Sequence, residues 1–329
     1  MNLLMALIAI LVLTLLALGI ALSGGLVYLL TVILPYAAFV LFLAGFAYRI
    51  VKWAGAPVPF RITTTCGQGK SLPWIRTNPL ESPSGLWSVI GRMALEIFLF
   101  RSLFRNTKVD ILQKRPVYGS AKWLWFFGLT FHWSLLVIVL RHLRFLIEPI
   151  TPWITALSAL DGFFEIGVPT LYLSDAAILA GITFLILRRL IVPQVRYISL
   201  FTDYFSLLLI LGVVGTGLLM RHFFPADLLQ VKNLAMGWVT FSPFVPKGVG
   251  TLFYMHLCFV FALMVFFPMG KLMHMAGVFL SPTRNLANDS RMRRHINPWN
   301  APAKVHTYEE YEDEFREKMK LSGLPVEKE

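Results

Sequence analysis

Six long apolar runs constrain this chain more than any other feature of its sequence. A helix of about 20 residues crosses the hydrocarbon core of a bilayer, and the runs lie at 3–22, 26–48, 123–147, 172–191, 204–221 and 251–272. The chain has 329 residues, of which 57% are hydrophobic, and a soluble domain does not bury that much apolar surface. The sequence therefore predicts an all-α, polytopic membrane bundle of six transmembrane helices.

The distribution of basic residues predicts how these helices are oriented. With the amino terminus in the cytoplasm, the inner segments 49–122, 188–196 and 271–328 hold 25 of the 30 Lys and Arg residues, as the positive-inside rule requires. We therefore expect a multi-pass protein of the cell (inner) membrane with both termini cytoplasmic. The net charge of +12 belongs to these loops and not to a separate basic module, which argues against a nucleic-acid partner.

Two segments allow a second interpretation. The run at 3–22 could be a signal peptide, but it has no Lys or Arg near Met1, which favours a retained helix. The segment 86–104 is long enough to span, yet Ser88, Arg92 and Glu96 recur at every fourth position and leave one apolar face. We therefore predict a helix that lies on the membrane surface, within a basic cytoplasmic loop.

Four histidines are the main candidates for a functional site. The run FHWSLLVIVLRH at 131–142 carries His132 and His142, and the last span carries His256 and His274. Imidazoles are costly inside a membrane and are usually functional there. Because the two spans run in opposite directions, antiparallel packing pairs His142 with His256 toward the outside and His132 with His274 toward the cytoplasm.

Each facing pair of imidazoles would supply the two axial nitrogens of a six-coordinate b-type haem. We therefore predict two haem b groups, at different depths. The ligands are about 15 Å apart along the first span and about 27 Å along the second, so the geometry needs tilted rings or a kink at Pro268. Gly212, Gly215 and Gly217 would let a flat ring approach closely. The competing interpretation is hydrogen bonding between helices.

The cysteines exclude other redox centres within this chain. The only two, Cys66 and Cys258, are far apart in the sequence. The chain therefore has no CxxC motif, no iron–sulfur ligand run and no CxxCH site for covalent haem. Electrons that leave the haems must pass to a separate partner protein.

The histidine spacing resembles that of the cytochrome b subunits of respiratory nitrate reductases, the gamma-subunit-like membrane cytochromes. In that family one helix carries two histidines ten residues apart, and a later helix carries two that are eighteen apart. The four histidines of this chain have the same spacings. The resemblance covers 120–280 and includes DYFSLLLILGVVGTGLLMR at 203–221. It implies a five-helix cytochrome b core that begins at 26–48, with 3–22 as one additional N-terminal helix.

Within this family, the basic loop and the tail NPWNAPAKVHTYEEYEDEFREKMKLSGLPVE at 297–327 look most like the membrane cytochrome of the dissimilatory sulfite reduction complex. That resemblance implies oxidation of menaquinol and transfer of electrons to a cytoplasmic iron–sulfur subunit related to heterodisulfide reductase. It also implies further membrane and periplasmic subunits. A cytochrome b of a heterodisulfide reductase or of a nitrate reductase is the near alternative, and a histidine-containing transporter or proton channel is an alternative of a different class.

A quinol site needs a proton acceptor close to a haem, and Asp175 is the candidate catalytic residue for that role. It lies in about the place where the nitrate reductase relatives have a lysine, although it could instead only cap its helix. Arg141 and Arg144 are candidates for neutralising haem propionates or are arginines that reach the membrane interface. The polar residues expected around the outer haem and the quinol are Arg141, Arg144, Asp175, Arg221 and His222.

These interpretations divide the chain into four parts. They are an N-terminal transmembrane hairpin at 1–49, the cytoplasmic basic loop at 50–120, a four-helix haem-binding membrane region at 121–280 and a cytoplasmic tail at 281–329. We expect the loop and the tail to form the docking surface for the partner.

Overall fold

The computed structural model describes residues 1–56, 78–112, 115–162, 171–281, 284–287 and 305–328. Cys66, which the sequence analysis singled out, lies outside these described residues, as does the basic stretch at 291–295.

The amino-terminal half contains helices and one small sheet. Its helices are α1 (Asn2–Leu22), α2 (Gly24–Tyr28), a π-helical turn (Leu29–Ile33), α3 (Leu34–Ala54), α4 (Leu86–Leu99) and α5 (Arg101–Arg105). A β-hairpin follows, in which β1 (Thr107–Leu112) pairs with β2 (Arg115–Ser120) in antiparallel register. The sequence analysis did not predict this hairpin.

The remainder of the described chain is helical. It consists of α6 (Lys122–His142), α7 (Pro152–Asp161), α8 (Leu173–Ile191), α9 (Pro193–Ile198), α10 (Phe201–His222), α11 (Leu228–Val239), α12 (Thr251–Phe266), α13 (His274–Gly277) and α14 (Tyr308–Leu321).

The all-α membrane bundle is confirmed. Five described segments are long and apolar enough to cross a bilayer: Asn2–Leu22, Gly24–Ala54, Lys122–Phe145, Phe201–His222 and Thr251–Met269. Helix α8, the remaining predicted span, is more polar because Asp175, Arg188 and Arg189 lie within its 19 residues. It nevertheless packs closely along α6, where a Cβ atom at Gly181 would lie 2.9 Å from the Cβ atom of Phe131.

Contacts at the two ends of the bundle show that the spans alternate in direction. At one end, the side chain of Asn2 donates to the carbonyl of Ser199 at 3.0 Å, which brings the start of α1 beside the start of α10. At the other end, the indole of Trp238 donates to the carbonyl of Thr31 at 2.7 Å, so α11 folds against the start of the second span. Which end faces the cytoplasm stays a prediction.

Two clusters of buried side chains hold the bundle together. The larger one joins α1, α3, α11 and α12, with Leu30, Leu234 and Leu257 among its members. The second joins α6, α8 and α10 through Phe131, Ile178 and Ile210. Helix α10 packs against both α8 and α12, so it connects the two clusters.

Helix α4 confirms that 86–104 is largely helical, but its polar side faces the protein. Arg92 is buried and donates to the carbonyl of Glu81 at 2.7 Å. Glu96 is also buried and accepts the backbone N–H of Ser102 at 3.1 Å. The apolar side carries exposed residues such as Trp87. This orientation suits contact with lipid, while the contact itself stays a prediction.

Helix α14 forms a small folded unit in the tail with the residues that follow it. The side chain of Glu312 is 2% exposed, and it accepts the backbone N–H groups of Glu327 at 2.8 Å and Lys328 at 2.9 Å. These two bonds stabilise the carboxylate and hold the pKa of Glu312 below its ordinary value.

The last span breaks where the sequence analysis expected a kink. Helix α12 ends at Phe266, and two 3₁₀ turns, Phe267–Met269 and Lys271–Met273, follow it. Pro268 has no N–H to continue the helix, and Gly270 is extended. A Cβ atom at Gly45 of α3 would lie 2.8 Å from the Cβ atom of Pro268, so α3 fits against the break only because residue 45 has no side chain.

We expect Gly45→Ala to lower the free energy of unfolding by about 1–3 kcal/mol, because an added methyl group would overlap the rigid proline ring. Thermal unfolding in detergent, followed by circular dichroism, measures the change. The matched control is Gly19→Ala, since a Cβ atom at Gly19 meets nothing within 4 Å. Equal melting temperatures for the two variants would contradict the close packing assigned to Gly45.

Candidate haem and quinol site

The structure brings His132 and His274 into direct contact. His132 is the middle residue of α6, and His274 is the first residue of α13, just beyond the broken end of α12. Their ring centroids are 5.7 Å apart and their planes are inclined at 84°. The ring of Phe100 meets His132 edge to face at 5.0 Å. The two histidines of this predicted pair are therefore neighbours. They are so although the histidines of α6 are ten residues apart and those of the last span are eighteen apart.

The other two histidines lie toward the opposite end of the bundle. His142 is the last residue of α6, and His256 lies in the second turn of α12. The two side chains are close enough to interact electrostatically. The two histidines of each predicted pair are thus neighbours in space.

Three of the four imidazoles are oriented by the backbone of their own segment. His132 Nδ1 bonds to the carbonyl of Gly128, His142 Nδ1 to that of Ile138, and His274 Nδ1 to that of Lys271, each at 2.7 Å. A carbonyl oxygen only accepts, so Nδ1 must carry the proton in each ring. Nε2 is then the nitrogen that is available to a metal, which is the usual arrangement of a metal-bound histidine.

His256 differs because its Nδ1 lies 2.9 Å from Oγ1 of Thr216, a side chain on the neighbouring helix α10. Glycines surround this contact. A Cβ atom at Gly217 would meet Cε1 of His256 at 3.5 Å, and one at Gly215 would meet no atom within 4 Å. Helix α10 therefore presents a shallow surface beside His256.

The donor set fits b-type haem. Each pair offers two imidazoles, and Nε2 is available in three of the four rings, in a largely apolar bundle. In the part of the chain that the structure describes, no three side chains among His, Cys, Asp and Glu are grouped to hold a metal ion. A site of two histidines matches axial ligation of a macrocycle better than a site that encloses a bare ion.

An ion pair supports the turn that carries His274. Lys271, whose carbonyl accepts from His274, has its ammonium group 2.9 Å from the carboxylate of Asp203. Asp203 is buried at the start of α10 and also accepts the backbone N–H of Leu200 at 3.0 Å. Arg189 lies 3.8 Å from the same carboxylate. The start of α10 thus anchors the inner histidine.

The predicted polar residues at the His142 end of α6 form a cluster around Tyr172. The guanidinium carbon of Arg141 lies 3.2 Å from the centroid of the Tyr172 ring, and that of Arg221 lies 4.0 Å from it. Arg141 is buried, and it pairs with Asp161 and donates to Ser174 at 3.0 Å. The guanidinium of Arg141 is therefore already engaged by protein groups, while its contact with a haem propionate stays a prediction.

Asp175 is buried in this cluster. It is 7% exposed, and its Oδ2 atom has no hydrogen-bond partner among the described residues. Arg141, Arg221 and His222 interact with it electrostatically. His222 Nε2 is likewise buried without a partner in the described part of the chain. Two buried polar atoms without a partner among the described residues thus belong to side chains that interact with each other electrostatically.

Helix capping at the start of α8 is carried out by Asp161. Asp161 Oδ1 accepts the backbone N–H of Ser174 at 2.8 Å, and the N-cap residue of α8, Tyr172, makes no side-chain cap bond. The alternative interpretation of Asp175 as only a helix cap therefore has no support in these contacts. Arg144 lies outside this capping network, and its guanidinium carbon is 4.8 Å from the centroid of the Phe145 ring.

Comparison with known proteins identifies the family. Residues 84–294 match the model of the nitrate reductase gamma subunit family. This chain belongs to that family. It is 43% identical over 281 residues to the Hdr-like menaquinol oxidoreductase cytochrome b-like subunit of Archaeoglobus fulgidus, covering 83% of this chain and 84% of that protein. It is 40% identical over 273 residues to the subunit of the same name from Archaeoglobus profundus, covering 81% of each chain.

The gamma-subunit resemblance inferred from the histidine spacing is therefore confirmed. Sequence reasoning missed three residues that support the candidate site of this chain. Asp161 precedes a glycine and looks like part of a loop, Thr216 lies among small residues that suggest only close packing, and Asp203 looks like an ordinary residue at a helix start. Each acts through a partner distant in sequence, so no local pattern marks it.

We expect Asp161→Asn to lower the free energy of unfolding by about 3–5 kcal/mol, because the substitution leaves the buried Arg141 guanidinium without its counter-charge. Glu148→Gln is the matched control, since Glu148 pairs with Lys232 while 57% exposed and should change stability by about 1 kcal/mol or less. Chemical denaturation of both variants in detergent measures the difference. Similar losses for the two would show that the buried pair contributes no more than the exposed one.

Proposed function

We propose that this chain is a di-haem cytochrome b membrane subunit that oxidises menaquinol and passes electrons to a cytoplasmic iron–sulfur partner. The observation that carries the proposal is the paired arrangement of four intramembrane histidines, above all the 5.7 Å contact between His132 and His274. The family match supports a membrane cytochrome, and the two relatives are named as menaquinol oxidoreductase subunits.

The chain's own residues have distinct roles in this proposal. When bound, a b-type haem supplies a centre that accepts and releases one electron at a time. His142 and His256 hold one such group toward the outside, and His132 and His274 hold the other toward the cytoplasm. The backbone carbonyl at each Nδ1 of His132, His142 and His274 fixes the ring and raises its basicity. With both groups bound, the two sites would provide a path for electrons across the bundle.

Oxidation of a quinol also releases two protons, and Asp175 supports an outer site for this step. Its Oδ2 atom is buried and lacks a partner among the described residues, so it is free to accept a hydrogen bond and then a proton from a quinol hydroxyl. Arg141 and Arg221 keep the Tyr172 ring in place beside it. His222 is a neighbouring group that can hold a second proton.

The identity of the partner rests on two resemblances. The relatives are called Hdr-like, which favours an iron–sulfur subunit related to heterodisulfide reductase. The basic loop and the tail favour a complex of sulfite or sulfate metabolism with further membrane and periplasmic subunits. The loop at 50–120 and the tail at 281–329 are the proposed docking surface on the cytoplasmic side of the cell membrane.

A transporter is the second candidate, and the break after α12 is the observation that favours it. Broken helices are typical of transporter substrate sites. Here, however, the broken end carries His274 to within ring contact of His132, an arrangement that a haem site also needs. A visible spectrum separates the two functions.

We expect the purified chain to show a b-type reduced-minus-oxidised spectrum with two haems per chain. His256→Ala or His142→Ala should leave one haem, because each removes an axial ligand of the outer group, and His132→Ala or His274→Ala should leave the other. His306→Ala, an exposed tail residue, is the control and should keep both. A chain without any b-type spectrum would overturn the cytochrome function.

We expect Asp175→Asn to slow oxidation of a water-soluble naphthoquinol by about 10²–10⁴-fold, the usual contribution of a general base, with unchanged haem content. Stopped-flow reduction of the haems by the quinol measures the rate. Asp227→Asn is the control, because Asp227 only caps α11 and asparagine caps equally well. Unchanged quinol oxidation in Asp175→Asn would remove this residue from the mechanism.

A further inference from the structure

The hydrogen bonding of His256 differs from that of the other three histidines. Their Nδ1 atoms bond to carbonyls three or four residues earlier in the same segment. His256 instead contacts the hydroxyl of Thr216, which lies 40 residues earlier and on another helix. His256 is therefore the one of these four histidines whose Nδ1 atom contacts a side chain. That side chain can be substituted without altering the backbone.

The direction of this hydrogen bond follows from the partners of the threonine. Thr216 Oγ1 lies 2.7 Å from the carbonyl of Gly212 and 3.1 Å from that of Val213. A hydroxyl has one proton, and these carbonyls can only accept it. We assign the hydroxyl proton to one of these carbonyls, so the lone pairs of Oγ1 accept from Nδ1 of His256.

A proton on Nδ1 leaves Nε2 bare on the other side of the ring. The two bonds run in series from the imidazole through the hydroxyl to the Gly212 carbonyl, so each bond polarises the next.

Burial strengthens the hydrogen bond between Thr216 and His256. Thr216 is 7% exposed, and the ring of Phe259 covers Gly212, where a Cβ atom would approach it to 3.3 Å. In such surroundings a hydrogen bond is electrostatically stronger than in water. An acceptor at Nδ1 increases electron donation by the ligand through Nε2, which favours the oxidised iron over the reduced iron.

We propose that Thr216 is a positioning residue that sets the reduction potential of the outer haem through its hydrogen bond with His256. This inference rests on the proposed di-haem function. It assigns the control of one site to α10, a helix that carries no haem ligand. The potential of the outer site can thereby be adjusted independently of the inner site.

The test is a spectroscopic redox titration of the full chain in detergent, with Thr216→Val as the main variant. Valine keeps the shape of the side chain and removes the hydroxyl that accepts from Nδ1 of His256. We expect the midpoint potential of one haem to rise and that of the other to stay unchanged. Each tenfold change in the relative binding of the two iron oxidation states corresponds to about 59 mV for one electron.

Two further variants make the result specific. Thr216→Ser keeps the hydroxyl and should restore the original potential. Thr31→Val is the matched control, because Thr31 is fully buried and donates to the Val27 carbonyl of its own helix at 2.9 Å. It should leave both potentials unchanged. If Thr216→Val binds a single haem, recovery of the second haem in Thr216→Ser supports the same role.

The possible failures are distinguishable. Wild-type chain without haem overturns the proposed function and this inference with it. Wild-type chain with two haems, and a Thr216→Val variant with unchanged potentials, overturns the role of Thr216 alone. A shift that also occurs in Thr31→Val, or one that Thr216→Ser fails to reverse, overturns it as well, since the effect would then come from general loss of packing.

Discussion

A neutral imidazole inside a bilayer needs a partner for its N–H group, and this requirement underlies the whole arrangement of the site. Backbone carbonyls of helices are normally occupied by their own ladder, so a side chain that bonds to one must share it. His132 and His142 do so within α6, and His274 does so at a turn where the helical ladder has already ended. The remaining nitrogen of each ring is thereby left for a ligand.

The position of the inner site depends on the broken end of the last span. A continuous helix would carry His256 and His274 on one face at a wide separation, whereas His132 and His142 are closer together and point in different directions. The turns at Pro268 and Gly270 change the direction of the chain before His274. His274 can therefore reach His132 despite the different spacings of the histidines on the two helices. Gly45 makes room for the break, and the Lys271–Asp203 ion pair holds it from the other side.

The sequence was sufficient for features that depend on local pattern, such as the apolar runs, the polar stripe at Ser88, Arg92 and Glu96, and the kink at Pro268. Antiparallel packing then paired the histidines correctly in space, although their binding of haem stays a prediction. It was insufficient where a residue acts through a distant partner, as Asp161 does with Arg141, or Thr216 with His256. The hairpin of β1 and β2 was missed although Lys108, Val109, Asp110 and Ile111 alternate between polar and apolar residues, because the strands are only six residues long and β2 is exposed throughout.

The order of the helices along the chain has a consequence for biogenesis. Both predicted cofactor sites take one ligand from α6 and the other from α12 or α13, so neither can be completed until the last span has entered the membrane. The break at Pro268 also packs against α3, which is synthesised long before the last span. Insertion of the proposed cofactors would therefore be a late step, and a ribosome stalled before residue 251 would leave only half-sites in the bilayer.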